Sequence, residues 1–276
     1  MTVIAMTREI GSCGMDVAAG LAATLGLKII QSDIVANSIA ERLGVDESAV
    51  LRYVNGSASL LERWQIDRRK LFHYAAEEIL RVAQRGNVLI KGWGIATLLR
   101  DLSGVISVRV CAPMDFRIRV LMDRFGTKDA YAVREQIERY DAARARTMRA
   151  YLNVEQEDPR LYHVVLNTQR LSIETCVKTV SELAESARFQ DHLATRATLA
   201  NKLVEAEISS ALVEHISLAA APLGVSVSVA NGKVTLSGTT SSGSVRMRAE
   251  RIAHDIAGVC HIDNRILSVP SRGGAF

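Results

Sequence analysis

The sequence predicts an α/β domain, a parallel sheet flanked by helices, followed by a small α+β unit of order α-β-β-α-β. Two observations set these classes. From residue 1 to about residue 190, short apolar runs alternate with amphipathic segments, the rhythm of parallel strands joined by crossover helices. Beyond about residue 190 the rhythm changes. There a strictly alternating run, Val225-Ser226-Val227-Ser228-Val229, leads almost directly into Asn231-Gly232, the strongest short hairpin signal. A length of 276 residues has room for both units. The expected boundaries are 1–190 and 196–270.

Each element has its own signal. Val3–Met6 is an apolar run of the kind a parallel strand buries on both faces. Small and apolar residues follow at helical spacing over Met15–Leu25, and Lys28–Ile30 reads as a strand. Over Asp67–Gln84, Leu71, Ala75, Ile79 and Val82 share a helical face, and Arg85-Gly86-Asn87 closes the helix with a glycine cap. Val88–Ile90 and Val105–Val110 read as strands, Phe116–Arg149 as one long polar helix, His163–Leu166 as the last strand and Ser172–Ala187 as the last helix. Arg188–Asn201 contains neither Pro nor Gly and is expected to continue as helix rather than as a loose tether. In the second unit, Thr198–Ala221 reads as an amphipathic helix and Val234–Gly238 as the returning strand. Arg246–Ile256 reads as a helix, Gly258-Val259 as a turn and Ile262–Val269 as a closing strand.

Composition narrows the function. Hydrophobic residues at 48% and charged residues at 23% describe a folded chain, and aromatics at 5% leave the core to aliphatic side chains. The balance of 34 basic against 30 acidic residues, a net charge of +4, is too small to make nucleic acid the expected partner. Only seven of the 34 basic residues are lysine; arginine suits two-pronged contacts to phosphate, although genome composition explains the bias equally well. The first residues lack a basic stretch followed by an apolar one, and no run of about 20 apolar residues exists to cross a membrane. Cys13, Cys111, Cys176 and Cys260 are scattered, without a metal-ligand or disulfide pattern. The expectation is a cytoplasmic protein with reduced thiols and no protein-built metal centre.

The first strand runs into Gly11-Ser12-Cys13-Gly14, and a helix opens near Met15. Glycines ahead of a helix N-terminus present backbone amides and a positive dipole end to an anion. No Lys-Ser or Lys-Thr follows the glycine, so this is not the standard nucleotide loop motif. Spacing alone leaves two readings open, a phosphate cradle or an ordinary βα turn.

The order of short motifs adds to this. Thr7-Arg8-Glu9-Ile10-Gly11-Ser12-Cys13-Gly14 resembles the opening of the cytidylate kinase-like family, a branch of the P-loop nucleoside monophosphate kinases. The resemblance continues through Gly92-Trp93-Gly94, Arg109–Pro113, Phe116-Arg117, Asp141–Arg146 and Tyr162–Thr168, and ends at Ser172-Ile173-Glu174. It implies a P-loop kinase-like sheet, ATP with Mg²⁺ on the glycine loop, a CMP-like acceptor beside it and an arginine-bearing lid. On that basis Arg8, Gly11, Ser12, Cys13, Gly14, Met15 and Asp16 are the candidate ATP-binding residues. Asp33, Trp93 and Arg117 are the candidates for the acceptor. Arg139, Arg144 and Arg146 are the catalytic lid candidates; Arg139 and Arg146, seven apart, share a helical face and Arg144 is displaced around it. Arg124 is seven residues from Arg117 and can support the same cleft.

Three departures from the family pattern stand out. Met15 follows the glycine where relatives carry arginine, Gln31-Ser32-Asp33 replaces Asp-Arg-Glu, and Gly92-Trp93-Gly94 replaces Gly-Arg-Gly. Each removes a charge that would meet nucleotide, and one such donor is worth about 3–4 kcal/mol in a transition state. Asp16 or Asp33 can hold Mg²⁺. Lys91 adjoins the Gly-Trp-Gly turn, but on a strand it is expected to point away from the loop. Trp93 either stacks on a base or fills a core gap. Three functional expectations follow: ATP-dependent phosphorylation of CMP, dCMP or a similar small acceptor; a catalytically degenerate nucleotide sensor that reports through the second unit; or a structural adaptor whose first unit merely carries a ligand- or partner-binding module.

The second unit resembles the BON domain through Leu223-Gly224-Val225, Gly232–Gly238, Arg248-Ala249, Ile252-Ala253, Gly258-Val259 and Asp263–Ile266. That resemblance implies a lipid, another hydrophobic ligand or a protein partner. His215, His254 and His261 lack carboxylate or cysteine neighbours at useful spacing, so no catalytic set is expected there. The sequence leaves the oligomeric state open, a homo-oligomer included.

Overall fold

The structure, a computed structural model, describes residues 1–31, 35–54, 58–59, 64–92, 94–100, 102–190, 192–216, 224–240, 242–256, 259 and 261–269. They form two compact units. The first comprises Met1–Ile66 and Arg85–Thr195; the second joins Asp67–Gln84 to the chain from Arg196 onward.

The first unit holds five parallel strands: β1 (Val3–Arg8), β2 (Lys28–Gln31), β3 (Val88–Lys91), β4 (Val105–Cys111) and β5 (Val164–Asn167). Their order is β2-β3-β1-β4-β5. The first five residues of β1 are fully enclosed, as a central parallel strand requires. Because β1 lies between β3 and β4, connections leave its two sides in opposite directions. A crevice therefore opens beyond the carboxyl ends of the strands.

Helix α1 (Gly14–Leu25) returns across the sheet and stops at Gly26, whose left-handed backbone bonds the Ala22 carbonyl. Val17, Ala18 and Leu21 of α1 join Ile4, Met6, Leu89, Ile106, Val108 and Val110 of the strands in one core, with Cys176 and Val180 closing it from the helix Ile173–Glu185. A Cβ on Gly20 would come within 2.6 Å of Val177, so glycine lets these two helices touch. Two short helices, α2 (Ala36–Leu43) and α3 (Glu47–Val54), fill a stretch to which the sequence reading assigned no element.

The segment read as one helix over Phe116–Arg149 is two. Helix α4 (Met114–Phe125) ends at Gly126, left-handed at φ 64°, and α5 (Ala130–Leu152) starts at Asp129, whose carboxylate accepts the Ala132 amide at 2.9 Å. A glycine stop and an aspartate start four residues apart outweigh the continuous polar composition. Ile118 and Leu121 of the first helix then pack on Val133 and Ile137 of the second.

In the second unit, β6 (Val225–Ala230) and β7 (Lys233–Thr240) are antiparallel, and β8 (His261–Ser268) lies parallel to β7 after the helix Gly243–His254. Asn231 and Gly232 both take positive φ, 51° and 74°, which is the hairpin turn their sequence predicts. Val234, Leu236, Ala249, Ala253 and Ile266 form the core with Ile208 and Leu212 of the long helix His192–His215. The helix Arg68–Gln84 belongs to this unit, and Arg81 bonds Glu207 at 3.1 Å.

Two histidines are expected to weaken the fold in acid. The Nδ1 of His163 accepts the Ser107 amide at 3.0 Å, which requires an unprotonated nitrogen. Burial, reinforced by Arg188, holds its pKa below the ordinary 6.5. Burial and Arg69 do the same for His73. Both bind a proton less readily folded than unfolded. Their stability contribution is therefore complete above about pH 6.5 and is lost as pH falls below it. Denaturant midpoints are expected to drop between pH 7.5 and pH 5.5, and by less in the His163→Gln, His73→Gln double variant.

Candidate functional site

Beyond Arg8 the chain turns through Glu9–Cys13 into α1 at the carboxyl edge of the sheet. Gly11 has φ 79°, and a Cβ there would lie 2.8 Å from the Arg117 carbonyl. The Ser12 hydroxyl donates to the Glu9 carbonyl at 2.8 Å, and the Ser12 carbonyl accepts Thr168 Oγ1 at 2.8 Å. Cys13 precedes the helix in the left-handed region at φ 53°, a conformation that costs a side chain energy. Its carbonyl receives the amides of Asp16 and Val17. The opening amides of α1 precede any intrahelical bond and face outward from the turn. Burial, then the Asp16 carboxylate, pushes the Cys13 thiol above its usual pKa, while Arg124 pulls it down, so these charges flank the loop.

A buried ion network fastens this turn. Glu9 accepts Arg109 at 2.6 Å and the Ala112 amide at 3.1 Å, and its second oxygen lies 3.8 Å from Arg117. Arg117 donates to the Ile10 carbonyl at 2.7 Å and grips Asp141 with two bonds of 2.8 and 2.9 Å. Thus Arg117, a candidate acceptor contact, has its guanidinium engaged in joining the loop to α5.

Lys91 departs from expectation. Its Nζ lies 3.0 Å from the Met15 sulfur, at the start of α1. The reason is strand alternation. Leu89 faces α1 in the core, and the residue two further along shares its face. On the same loop, a Cβ at Gly14 would meet Arg8 Cβ at 2.8 Å, so the Arg8 stem lies over Gly14.

The three lid arginines separate. Arg144 lies against the Tyr140 ring, bonds its hydroxyl, and acts on Tyr162, whose phenol donates to the Gln156 carbonyl and whose ring lies 6.0 Å from the Arg109 guanidinium. The Arg144 Nε is buried with no hydrogen-bond partner among the described residues. Arg144, Met148 and Leu152 follow helical spacing. The last two adjoin Gly94, where a Cβ would lie 2.8 Å from Leu152. That face turns toward the ends of the strands. Arg139 instead pairs with Glu135 at 2.7 Å on the surface, 73% exposed, and Arg146 is exposed.

The structure therefore gathers Arg8, Gly11, Ser12, Cys13, Gly14, Met15 and Asp16 at one turn and brings Arg117 beneath it. Asp33 and Trp93 lie outside the described residues. Sequence reasoning passed over Glu9, Arg109 and Asp141 as site builders. Periodicity on β3 was the signal that could have placed Lys91. Among the described residues, no three His, Cys, Asp or Glu side chains cluster to hold a metal, and no helix is long and apolar enough to cross a membrane.

Comparison with known proteins gives matches along most of the chain. A model of the cytidylate kinase-like family matches residues 3–170, and a BON domain model matches residues 201–270. A cytidylate kinase of Pyrobaculum aerophilum is 26% identical over 178 residues, spanning 64% of this chain and 90% of that protein. A cytidylate kinase of Methanocaldococcus jannaschii is 21% identical over 170 residues, 61% of this chain and 89% of its own length. An uncharacterised protein of Eubacterium ventriosum shares the fold, with a TM-score of 0.53 at 16% identity over 67% of this chain and 99% of its own.

Proposed function

Since the chain belongs to the cytidylate kinase-like family, we propose that it transfers the terminal phosphoryl group of ATP to CMP, dCMP or a similar small acceptor. The observation that carries this reading is the glycine turn from Gly11 to Gly14, set at the carboxyl edge of β1 with the N-terminus of α1 behind it. Backbone amides there hold the phosphate chain without needing side-chain chemistry. An oxygen of the acceptor phosphate attacks the terminal phosphorus in line, the bond to the bridging oxygen breaks, and ADP leaves. The protein aligns the two nucleotides and meets the spreading negative charge with fixed cations.

Arg8 and Arg144 are the side chains this reading assigns to that charge, Arg8 from the loop and Arg144 from α5. Arg117 holds the turn in register. Mg²⁺ fits a site of this kind because it binds largely through the substrate's phosphates and waters, needing few carboxylates. Asp16, exposed in the first turn of α1, is the described residue that would hold it. When bound, the ion neutralises phosphate charge.

A coupled ADP-release assay with Mg²⁺ across nucleoside monophosphates tests the proposal. Release that depends on a pyrimidine monophosphate is expected. Saturable ATP binding without turnover on any acceptor would make the chain a nucleotide-responsive regulator instead, the reading that Met15 favours. No binding at all would contradict both.

A further inference from the structure

A turn that binds phosphate through its backbone must aim its amides outward. In a trans peptide the N–H and the carbonyl before it point to opposite sides of one plane. Whatever grips the carbonyl therefore aims the amide.

We propose that Thr168 is a positioning residue for the phosphate cradle: its hydroxyl holds the Ser12 carbonyl inward and so turns the Cys13 amide out toward nucleotide phosphate. This rests on the nucleotide-binding reading above. Thr168 Oγ1 donates to the Ser12 carbonyl at 2.8 Å. The Ser12–Cys13 peptide is trans, so the Cys13 N–H points away from Thr168. Among the described residues nothing accepts that N–H. Thr168 is itself anchored. It is the first residue beyond β5, whose Asn167 pairs with Cys111 of β4, and its amide donates to the Cys111 carbonyl at 3.1 Å.

Two further observations agree. Cys13 is held at φ 53° and ψ 16°, a left-handed conformation that a residue with a Cβ keeps only where its surroundings impose it. Thr168 on the carbonyl before Cys13 and helix α1 after it impose it here. The neighbouring peptides follow the same logic. Arg117 takes the Ile10 carbonyl at 2.7 Å, which leaves the Gly11 N–H on the opposite side. The Ser12 amide between them is engaged inward with the Glu9 carbonyl at 3.3 Å. The turn thus offers the Gly11 and Cys13 amides and withholds that of Ser12, with Arg117 setting the first and Thr168 the second.

The test uses the full chain as wild type, Thr168→Val and Thr168→Ser. Dissociation constants for Mg·ATP and for CMP are read by titration calorimetry, and solvent exchange of the Cys13 amide by nuclear magnetic resonance. Valine deletes the hydroxyl and leaves the buried Ser12 carbonyl unpaired, so Mg·ATP is expected to bind about tenfold more weakly, with CMP changed less than about twofold. Serine keeps the hydroxyl and is expected to keep wild-type affinity. In the wild type the Cys13 amide is expected to exchange quickly when free and slowly with Mg·ATP bound. A Thr168→Val protein that binds Mg·ATP like the wild type overturns the assignment while leaving the nucleotide reading intact. Equal weakening of both nucleotides is general loosening and also overturns it, as does a serine variant as weak as the valine one. Should Thr168→Val fail to fold, the serine variant and the exchange decide: a Cys13 amide already protected in the free protein points inward, against the proposal. A wild type that binds no Mg·ATP overturns the underlying reading itself.

Discussion

Glu9→Ala is expected to lower the unfolding free energy by about 3–5 kcal/mol, the range found when one partner of a buried ion pair is removed. Glu9 takes a guanidinium bond from Arg109 at 2.6 Å and an amide bond from Ala112 at 3.1 Å. Its carboxylate also lies 3.8 Å from Arg117. Both arginines are buried. Without Glu9 two enclosed positive groups remain, and only Arg117 keeps a carboxylate, that of Asp141. The loss reaches beyond stability. Arg117 also donates to the Ile10 carbonyl, so the backbone of the glycine turn relaxes along with it. Denaturant unfolding followed by tryptophan fluorescence and by far-ultraviolet dichroism measures the effect. A loss below about 1 kcal/mol would show that the network is not what fixes the turn.

Arg144→Ala is expected to reduce turnover about a hundredfold or more with little change in stability, and Arg139→Ala is expected to have a far smaller effect. The distinction is geometric. Arg144 sits against Tyr140 and within electrostatic reach of Tyr162, whose phenol donates to the Gln156 carbonyl at 2.8 Å. Its buried Nε has no hydrogen-bond partner among the described residues. Such a group is costly unless something arrives to bond it, and on the proposed reading a phosphate oxygen would do so. Arg139 already pairs with Glu135 at the surface. ADP release and thermal midpoints, measured on both variants, check the ranking. Equal losses from the two substitutions would contradict the assignment.

Local chemistry was legible in the sequence; long-range pairing was not. Asn231-Gly232 announces its own turn because few other dipeptides tolerate two positive φ values. The run Val3–Met6 followed by Gly11 and Gly14 likewise announces strand, turn and helix. The break at Gly126–Asp129 was present as a stop and a start signal, but the surrounding polar helical pattern concealed it. The Glu9–Arg109 bond joins residues 100 apart in sequence and exists only once β1 and β4 lie side by side. No spacing rule reaches that far. The direction of Lys91 needed one further step, from periodicity along β3 to the face that α1 covers. The grouping of Arg68–Gln84 with the chain beyond Arg196 is a tertiary choice, made by contacts such as Arg81 with Glu207.

Whether the Gly11–Gly14 turn grips nucleotide phosphate is read from the backbone amide resonances of Gly11, Cys13, Gly14 and Met15 while Mg·ATP is added. Large, saturable shifts centred on these four amides are expected, with smaller ones at Arg8. Amides that stay in place at millimolar nucleotide, or shifts confined to other parts of the chain, would contradict that grip.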